Sequence, residues 1–173
     1  GVINEGQTLC SIGTSGVILA PENSEGLNYG HNIHYFKHVL SNTAYAMGVT
    51  LSAGYSLNWF KETVFPETSF EDMIEAASKT NIGANGLIYA PYIQGERTPH
   101  GDAIVRGSFV GLNGSTTAGQ MARATIEGIT YALYEAIDFM RQAGKSIDHI
   151  ISIGGGAKSE FWLQLQADIF NTK

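Results

Sequence analysis

Residues 149–171 read "HIISIGGGAKSEFWLQLQADIFN", and this unit narrows the available folds more than any other stretch of the chain. Ile150, Ile151 and Ile153 make a strand of the buried kind, Gly154, Gly155 and Gly156 follow at once, and a helix begins near Ser159 or Glu160. A strand that enters a helix through a glycine bend is an α/β element. It is also a common geometry for holding a nucleotide, because missing Cβ atoms let a ligand touch the backbone and a helix N-terminus favours negative or polar groups. The same glycines suit a tight turn that binds nothing. By itself the unit leaves both readings open.

A second glycine bend, "SIGTSGVI" at residues 11–18, poses the same choice. Gly13 and Gly16 give the freedom needed to reverse a hairpin, and Thr14 and Ser15 suit its tip. Alternatively, the N–H groups of the bend converge on an anion and the two hydroxyls add donors. On either reading "QTLCSIGTSGVILA" forms two strands about the bend, with Leu9, Ile12, Val17 and Leu19 as apolar positions.

Helical periods occupy the middle of the chain. A helix from about Ser52 to Val64 carries Leu57, Phe60 and Val64 on one side and ends before Pro66. A short structural helix follows, opened by Ser69 with Asp72 three residues on, its apolar stripe being Phe70, Met73, Ile74 and Ala77. Leu87 to Ala90 form a compact strand before Pro91. The longest helix is capped by Thr117 with Gln120 and closed by Gly144 and Lys145. Its core stripe is Ile126, Ile129, Leu133, Ile137 and Met140, with Arg123, Glu127, Thr130, Tyr134, Asp138 and Arg141 on the opposite face. The N-terminus of this helix, after "GLNGST", is expected near a ligand if one binds.

Two polar stretches need a reading. In the turn-rich "PENSEGLNYGHNIHYFKHVLSN", His34 and His38 are spaced to share a helical face, but no Glu completes an H-E-x-x-H pattern. Together with His31 they read as surface or partly packed histidines, and no metal site is expected. The loop "QGERTPHGDAIVRG" carries Glu96, Arg97, His100, Asp102 and Arg106 and reads either as a solvated loop or as part of a cleft or interface.

Composition then removes whole classes. The 173 residues are 43% hydrophobic, enough for one full core and too few for two large domains. A net charge of −6 with scattered basic residues argues against nucleic-acid or anionic-membrane partners. Cys10 stands alone, so no internal disulfide can form. No apolar run approaches the ~20 residues of a membrane helix and no charged, apolar signal-like stretch is read at the start, so a cytoplasmic location is the expectation. "GVINEGQTL" runs straight into a strand, as though the chain began inside a fold.

Several motifs fail. "AGKS" at residues 143–146 follows a helix end, with Phe139 where a P-loop needs glycine. "GYSLN" has Asn58 in place of the last glycine of a nucleophile elbow, which removes a hydrolase. "GGGAKS" lacks the sixth-position glycine of a dinucleotide fingerprint.

Four stretches in this order, "SIGTSG", "GVTLSAGYSLNWF", "PYIQGERTPHGDAIVRGSFVGL" and "SIGGGAKSEFWLQLQADIFN", resemble the C-terminal half of FGGY-family carbohydrate kinases. The run from Gly107 to Glu127 matches the second family signature at each restricted position. The resemblance implies an actin-like ATPase (ribonuclease H-like) α/β domain, a mixed sheet flanked by helices, and the second domain of a two-domain sugar kinase. By position, it implies that Gly13, Thr14, Ser15 and Gly16 contact the phosphates of ATP. It implies too that Gly54 and Asn58 approach the nucleotide, with Gly155 and Ser159 of the last bend, and that Gly154 and Gly156 shape that bend. ATP with Mg²⁺ is the implied cofactor and a small sugar the implied substrate. The similarity of "GERTPHGD" and "GYSLNWF" favours xylulose as acceptor, and gluconate, glycerol and ribulose stay open.

The resemblance also implies what is missing. The family's catalytic aspartate lies in a G-D-x-x-A segment just before the equivalent of Gly1, and most sugar contacts lie in an N-terminal domain. Asp102, Asp148 and Asp168 have no motif that recommends them as substitutes, and "FNTK" stops before the family's closing strand and helix. No catalytic residue is therefore assigned, and the chain alone is expected not to phosphorylate a sugar, with a homodimer kept open for the full-length protein. A non-catalytic actin-like nucleotide-binding module is the rival reading.

Overall fold

The computed structural model describes residues 2–23 and 26–173. Gly1, Ser24 and Glu25, parts of the opening and turn-rich stretches read above, lie outside the described residues. The chain folds as β1 (Gly6–Ile12), β2 (Gly16–Asn23), β3 (His34–Lys37), β4 (Thr43–Thr50), α1 (Gly54–Val64), α2 (Phe70–Ser78), β5 (Ile88–Ala90), β6 (Ser108–Val110), α3 (Ala118–Gln142), β7 (Ile147–Gly154) and α4 (Glu160–Phe170).

The first sheet has strand order β3-β4-β2-β1-β7, and β5 and β6 pair as a separate ribbon. β1 and β2 form the expected hairpin, with Cys10 opposite Ile18. β7 returns parallel to β1, setting Cys10 beside Ser152 and Ile12 beside Gly154. The sheet is therefore mixed, and the parallel pair carries both glycine bends to the same end of neighbouring strands.

Alternation along β1 and β2 buries Thr8, Cys10, Ile12, Ile18 and Ala20 on one face. Against that face lies α3, through Leu133, Ala136, Ile137 and Met140. The approach is close enough that a Cβ on Gly48 of β4 would sit 2.3 Å from the Ala136 Cβ. The Thr117–Gln120 capping box fixes the start of α3 by giving acceptors to the N–H groups of Thr117 and Gln120.

Three expectations change, and a fourth reading is extended. His34 lies in β3 and His38 just after it, so they share no helix: β4 offers a free edge, and an aromatic-rich segment pairs along it with His34 opposite Met47. Pro21, Glu22 and Asn23 extend β2 rather than opening a turn-rich stretch. β7 is an edge strand, which leaves Ile151 and Ile153 45% and 44% exposed instead of buried. Finally, Arg123, Glu127 and Thr130 of α3 are buried, because α3 runs between the sheet on one side and α2, α4 and β5 on the other. Lys145, read as the positive charge that closes the helix, is buried as well and donates from Nζ to the Pro21 carbonyl.

Candidate functional site

The tip of the β1–β2 hairpin docks on the start of α1. Gly13 O accepts from Gly54 N at 2.8 Å, and Thr14 O accepts from Ala53 N at 3.2 Å and Tyr55 N at 2.9 Å. These carbonyls take the N–H groups that open α1, which has no side-chain cap. The Gly54 and Tyr55 N–H groups at the helix start are thus already taken by the hairpin tip. The N–H groups of Thr14 and Ser15 find no backbone acceptor among the described residues. Gly54 is required by contact, since a Cβ there would lie 2.3 Å from Gly13 O.

The second bend lies against the first strand. Gly154 has φ +85°, and a Cβ there would meet Ile12 O at 2.4 Å; one on Gly156 would meet Ile12 Cδ1 at 2.7 Å. Both glycines let the bend close onto Ile12, the residue that leads into the hairpin tip. Gly155 between them is different: its Cβ position has only Ile12 O, at 3.6 Å, for a neighbour. Ser159 then caps α4, its Oγ accepting from Trp162 N at 3.3 Å.

Between the two bends opens a cleft of about 740 Å³, a volume suited to a nucleotide-sized ligand. Of the residues singled out from sequence, Gly13, Thr14, Gly54, Asn58, Gly155, Gly156 and Ser159 line it. Ser15, Gly16 and Gly154 are outside the lining. For Gly16 the reason is steric, because its Cβ would fall 2.6 Å from Leu133 Cδ2 and 2.9 Å from Thr50 Cγ2. Its glycine serves the packing of β2 on α3.

The opposite wall was not visible in the sequence. Phe70, Glu71, Ile74, Glu75 and Ser78 of α2 face the bends, joined by Lys158, Phe161 and Trp162. The sequence signal is that Phe70 and Ile74 lie in one apolar stripe, and periodicity alone cannot distinguish a core stripe from a cleft wall. Phe161 is backed by Arg123, whose Cζ lies 4.9 Å from the ring centroid. Arg123 Nε in turn donates to Glu127 Oε1 at 2.5 Å, and the same oxygen accepts from Gly83 N at 3.1 Å. Trp162 is held by its indole N–H, which donates to Thr130 Oγ1 at 2.9 Å. The "opposite face" of α3 is thus the support of the cleft wall.

The polar loop holds itself together rather than entering the cleft. Glu96 is buried and accepts from Thr50 Oγ1, from Leu51 N at 3.0 Å and from Arg97 N at 2.7 Å. Asp102 Oδ1 accepts from Ile104 N at 2.7 Å and Val105 N at 3.1 Å, and Arg106 Nη1 donates to the carbonyls of Ala103 and Val105. His100 Nε2 sits 3.0 Å from Glu135 Oε2. Asp148 Oδ1 accepts from Ser146 Oγ, and Asp168 Oδ1 from Gln164 Nε2, each at 2.8 Å. None of these carboxylates lines the cleft, and none is placed to act as a base there. Among the described residues no three His, Cys, Asp or Glu side chains gather as a metal site, and no helix is long and apolar enough to cross a membrane.

Comparison with known proteins extends this description. The model of the FGGY family of carbohydrate kinases, C-terminal domain, matches residues 8–173. The xylulose kinase of Staphylococcus epidermidis is 58% identical over 173 residues, all of this chain and 35% of that protein. The crystal structure of ligand-bound xylulose kinase from Lactobacillus acidophilus superimposes with a TM-score of 0.91 at 33% identity, covering 98% of this chain and 34% of that one. Gluconate kinase from the same organism gives 0.89 at 32% identity, covering 98% and 35%. The chain spans about a third of the length of the curated relatives it matches.

Proposed function

Because this chain belongs to the FGGY family of carbohydrate kinases, we propose that it is the ATP-holding part of a xylulose kinase, which moves the γ-phosphoryl group of ATP to D-xylulose and gives xylulose 5-phosphate. The observation that supports this most is that Thr14 and Gly155, on bends 141 residues apart in sequence, line one cleft. The Thr14 and Ser15 N–H groups are the donors for the phosphates, and the open side of Gly155 lets the nucleotide lie against the backbone. The wall of Phe70, Ile74 and Phe161 gives an apolar surface for the base.

The lining sets one lysine, Lys158, against Glu71 and Glu75. Side chains here do not neutralise a triphosphate, so the site fits a nucleotide that brings Mg²⁺ with it. When bound, Mg²⁺ would spread the charge that develops on the phosphoryl oxygens. The chain's own contribution is to position the donor phosphates by main-chain dipoles, which need no reorganisation as charge develops. The proton of the sugar hydroxyl and the sugar itself are handled by the rest of the longer protein, and the reaction belongs in the cytoplasm. Gluconate is the second acceptor to consider, given the likeness to a gluconate kinase.

Calorimetric titration of the purified chain with MgATP tests the reading. Saturable binding at one site, without phosphorylation of xylulose, is expected. Absence of binding would overturn the assignment of the cleft, and turnover at the rate of an intact kinase would overturn the division of labour. Full-length protein carrying this chain, assayed on xylulose, gluconate, glycerol and ribulose, should prefer xylulose.

A further inference from the structure

Gln166 lies on α4 and is only 2% exposed. Its Oε1 accepts from Ser152 Oγ at 2.8 Å, and its Nε2 donates to Gly156 O at 3.3 Å. The carbonyl can only accept, so the amide has one workable orientation, with its NH₂ toward the glycine bend. Gly156 is the middle residue of a 3-10 turn, Gly155–Ala157, which Lys158 N closes by donating to Gly155 O at 3.2 Å, and Gln166 is the side chain that takes the Gly156 carbonyl. A trans peptide is planar, so the carbonyl of Gly156 and the N–H of Ala157 point in opposite directions. Holding that carbonyl inward against α4 turns the N–H outward and sets the path of the bend.

On the strength of these contacts, and resting on the assignment of the cleft to a nucleotide, we propose that Gln166 is a positioning residue for nucleotide binding, acting through the Gly156 carbonyl. It touches no ligand itself. Ser152 completes the arrangement from β7 by orienting the amide, and it stands beside Cys10 of β1. Burial pushes the Cys10 thiol up to about 12, so that neighbour keeps its proton through the range in which the test below is made.

Gln166→Glu distinguishes positioning from bulk. A neutral carboxylic acid has the same shape as the amide and offers one donor and one acceptor, so it can bond both Gly156 O and Ser152 Oγ. Once ionised it only accepts, and its oxygen faces the Gly156 carbonyl. Burial raises the pKa of such a carboxyl, so both forms fall within an accessible range. The MgATP dissociation constant of the variant, divided by that of the unsubstituted chain at each pH from 5 to 9, should stay near one at the acid end. It should rise to about tenfold as the carboxyl ionises. Gln166→Met, which fills the space without bonding, should be about tenfold weaker at every pH and serves if the ionised variant unfolds. Thermal unfolding in parallel keeps loss of fold apart from loss of affinity. Folded Gln166 variants that bind MgATP like the unsubstituted chain at every pH would overturn the inference. Failure of the unsubstituted chain to bind would overturn the nucleotide assignment, and this inference with it.

Discussion

Alanine at Gly155 and alanine at Gly154 should give opposite phenotypes, although the two positions are adjacent. At Gly155 the added Cβ has one neighbour, Ile12 O at 3.6 Å, which is an ordinary contact, and the backbone is not in the left-handed region. Stability should hold or rise by about 0.4–1 kcal/mol, since alanine narrows the unfolded ensemble. The methyl group, however, projects into space that the nucleotide needs. Overpacking of this size typically costs about 1–3 kcal/mol, which weakens MgATP binding by about 5- to 150-fold. At Gly154 the φ of +85° and a Cβ 2.4 Å from Ile12 O leave no such room. There the strain is about 1–3 kcal/mol before any clash is relieved, and it is paid in stability because the clash is with β1. Urea denaturation and calorimetric titration of both variants are the assays. A folded Gly155→Ala variant that binds MgATP like the unsubstituted chain would refute the idea that the ligand lies on this bend. A Gly154→Ala variant of unchanged stability would refute the close approach of β7 to β1.

Two further outcomes follow from groups away from the bends. Arg123→Met should destabilise the fold by about 3–5 kcal/mol in urea denaturation, because it leaves the Glu127 carboxylate, 6% exposed, without its cation; a loss under 1 kcal/mol would show that the pair is not sealed from water. Burial holds the Cys10 thiol at about 12 in the folded chain, against about 8.5 when unfolded. Above pH 9 the unfolded state has therefore lost a proton that the folded state keeps, and stability should fall by about 1.4 kcal/mol per pH unit from this group, a slope that Cys10→Ala should remove.

Local signals survived folding wherever the chemistry was local. The Ser69 cap on Asp72, the Thr117–Gln120 box and the Ser159 cap are each satisfied by residues three positions apart, so the sequence could display them. The hairpin about Gly13 and the entry into α4 were legible for the same reason. What depends on distant partners was not. Whether a glycine is there for a ligand or for a neighbour is decided by what its missing Cβ would meet: Leu133 at 2.6 Å for Gly16, Ile12 O at 2.4 Å for Gly154, and for Gly155 only Ile12 O at an ordinary 3.6 Å. Phe70 and Ile74 were indistinguishable from core until the bends were seen across from them. The burial of Arg123, Glu127 and Thr130 was not legible, because periodicity reports a stripe and says nothing about whether a second layer covers the other side. The exposure of Ile151 and Ile153 is likewise set by distant partners: they register with Leu9 and Ser11 on the sheet face turned away from α3, in a strand at the sheet edge.

The central claim is that two glycine bends hold one nucleotide, and amide chemical shifts of the ¹⁵N-labelled chain titrated with MgATP test it most directly. The account predicts that the N–H signals of Thr14, Ser15, Gly155 and Gly156 move together and saturate with a single dissociation constant. Shifts confined to one bend, two different saturation curves, or changes only at residues outside the cleft would contradict it.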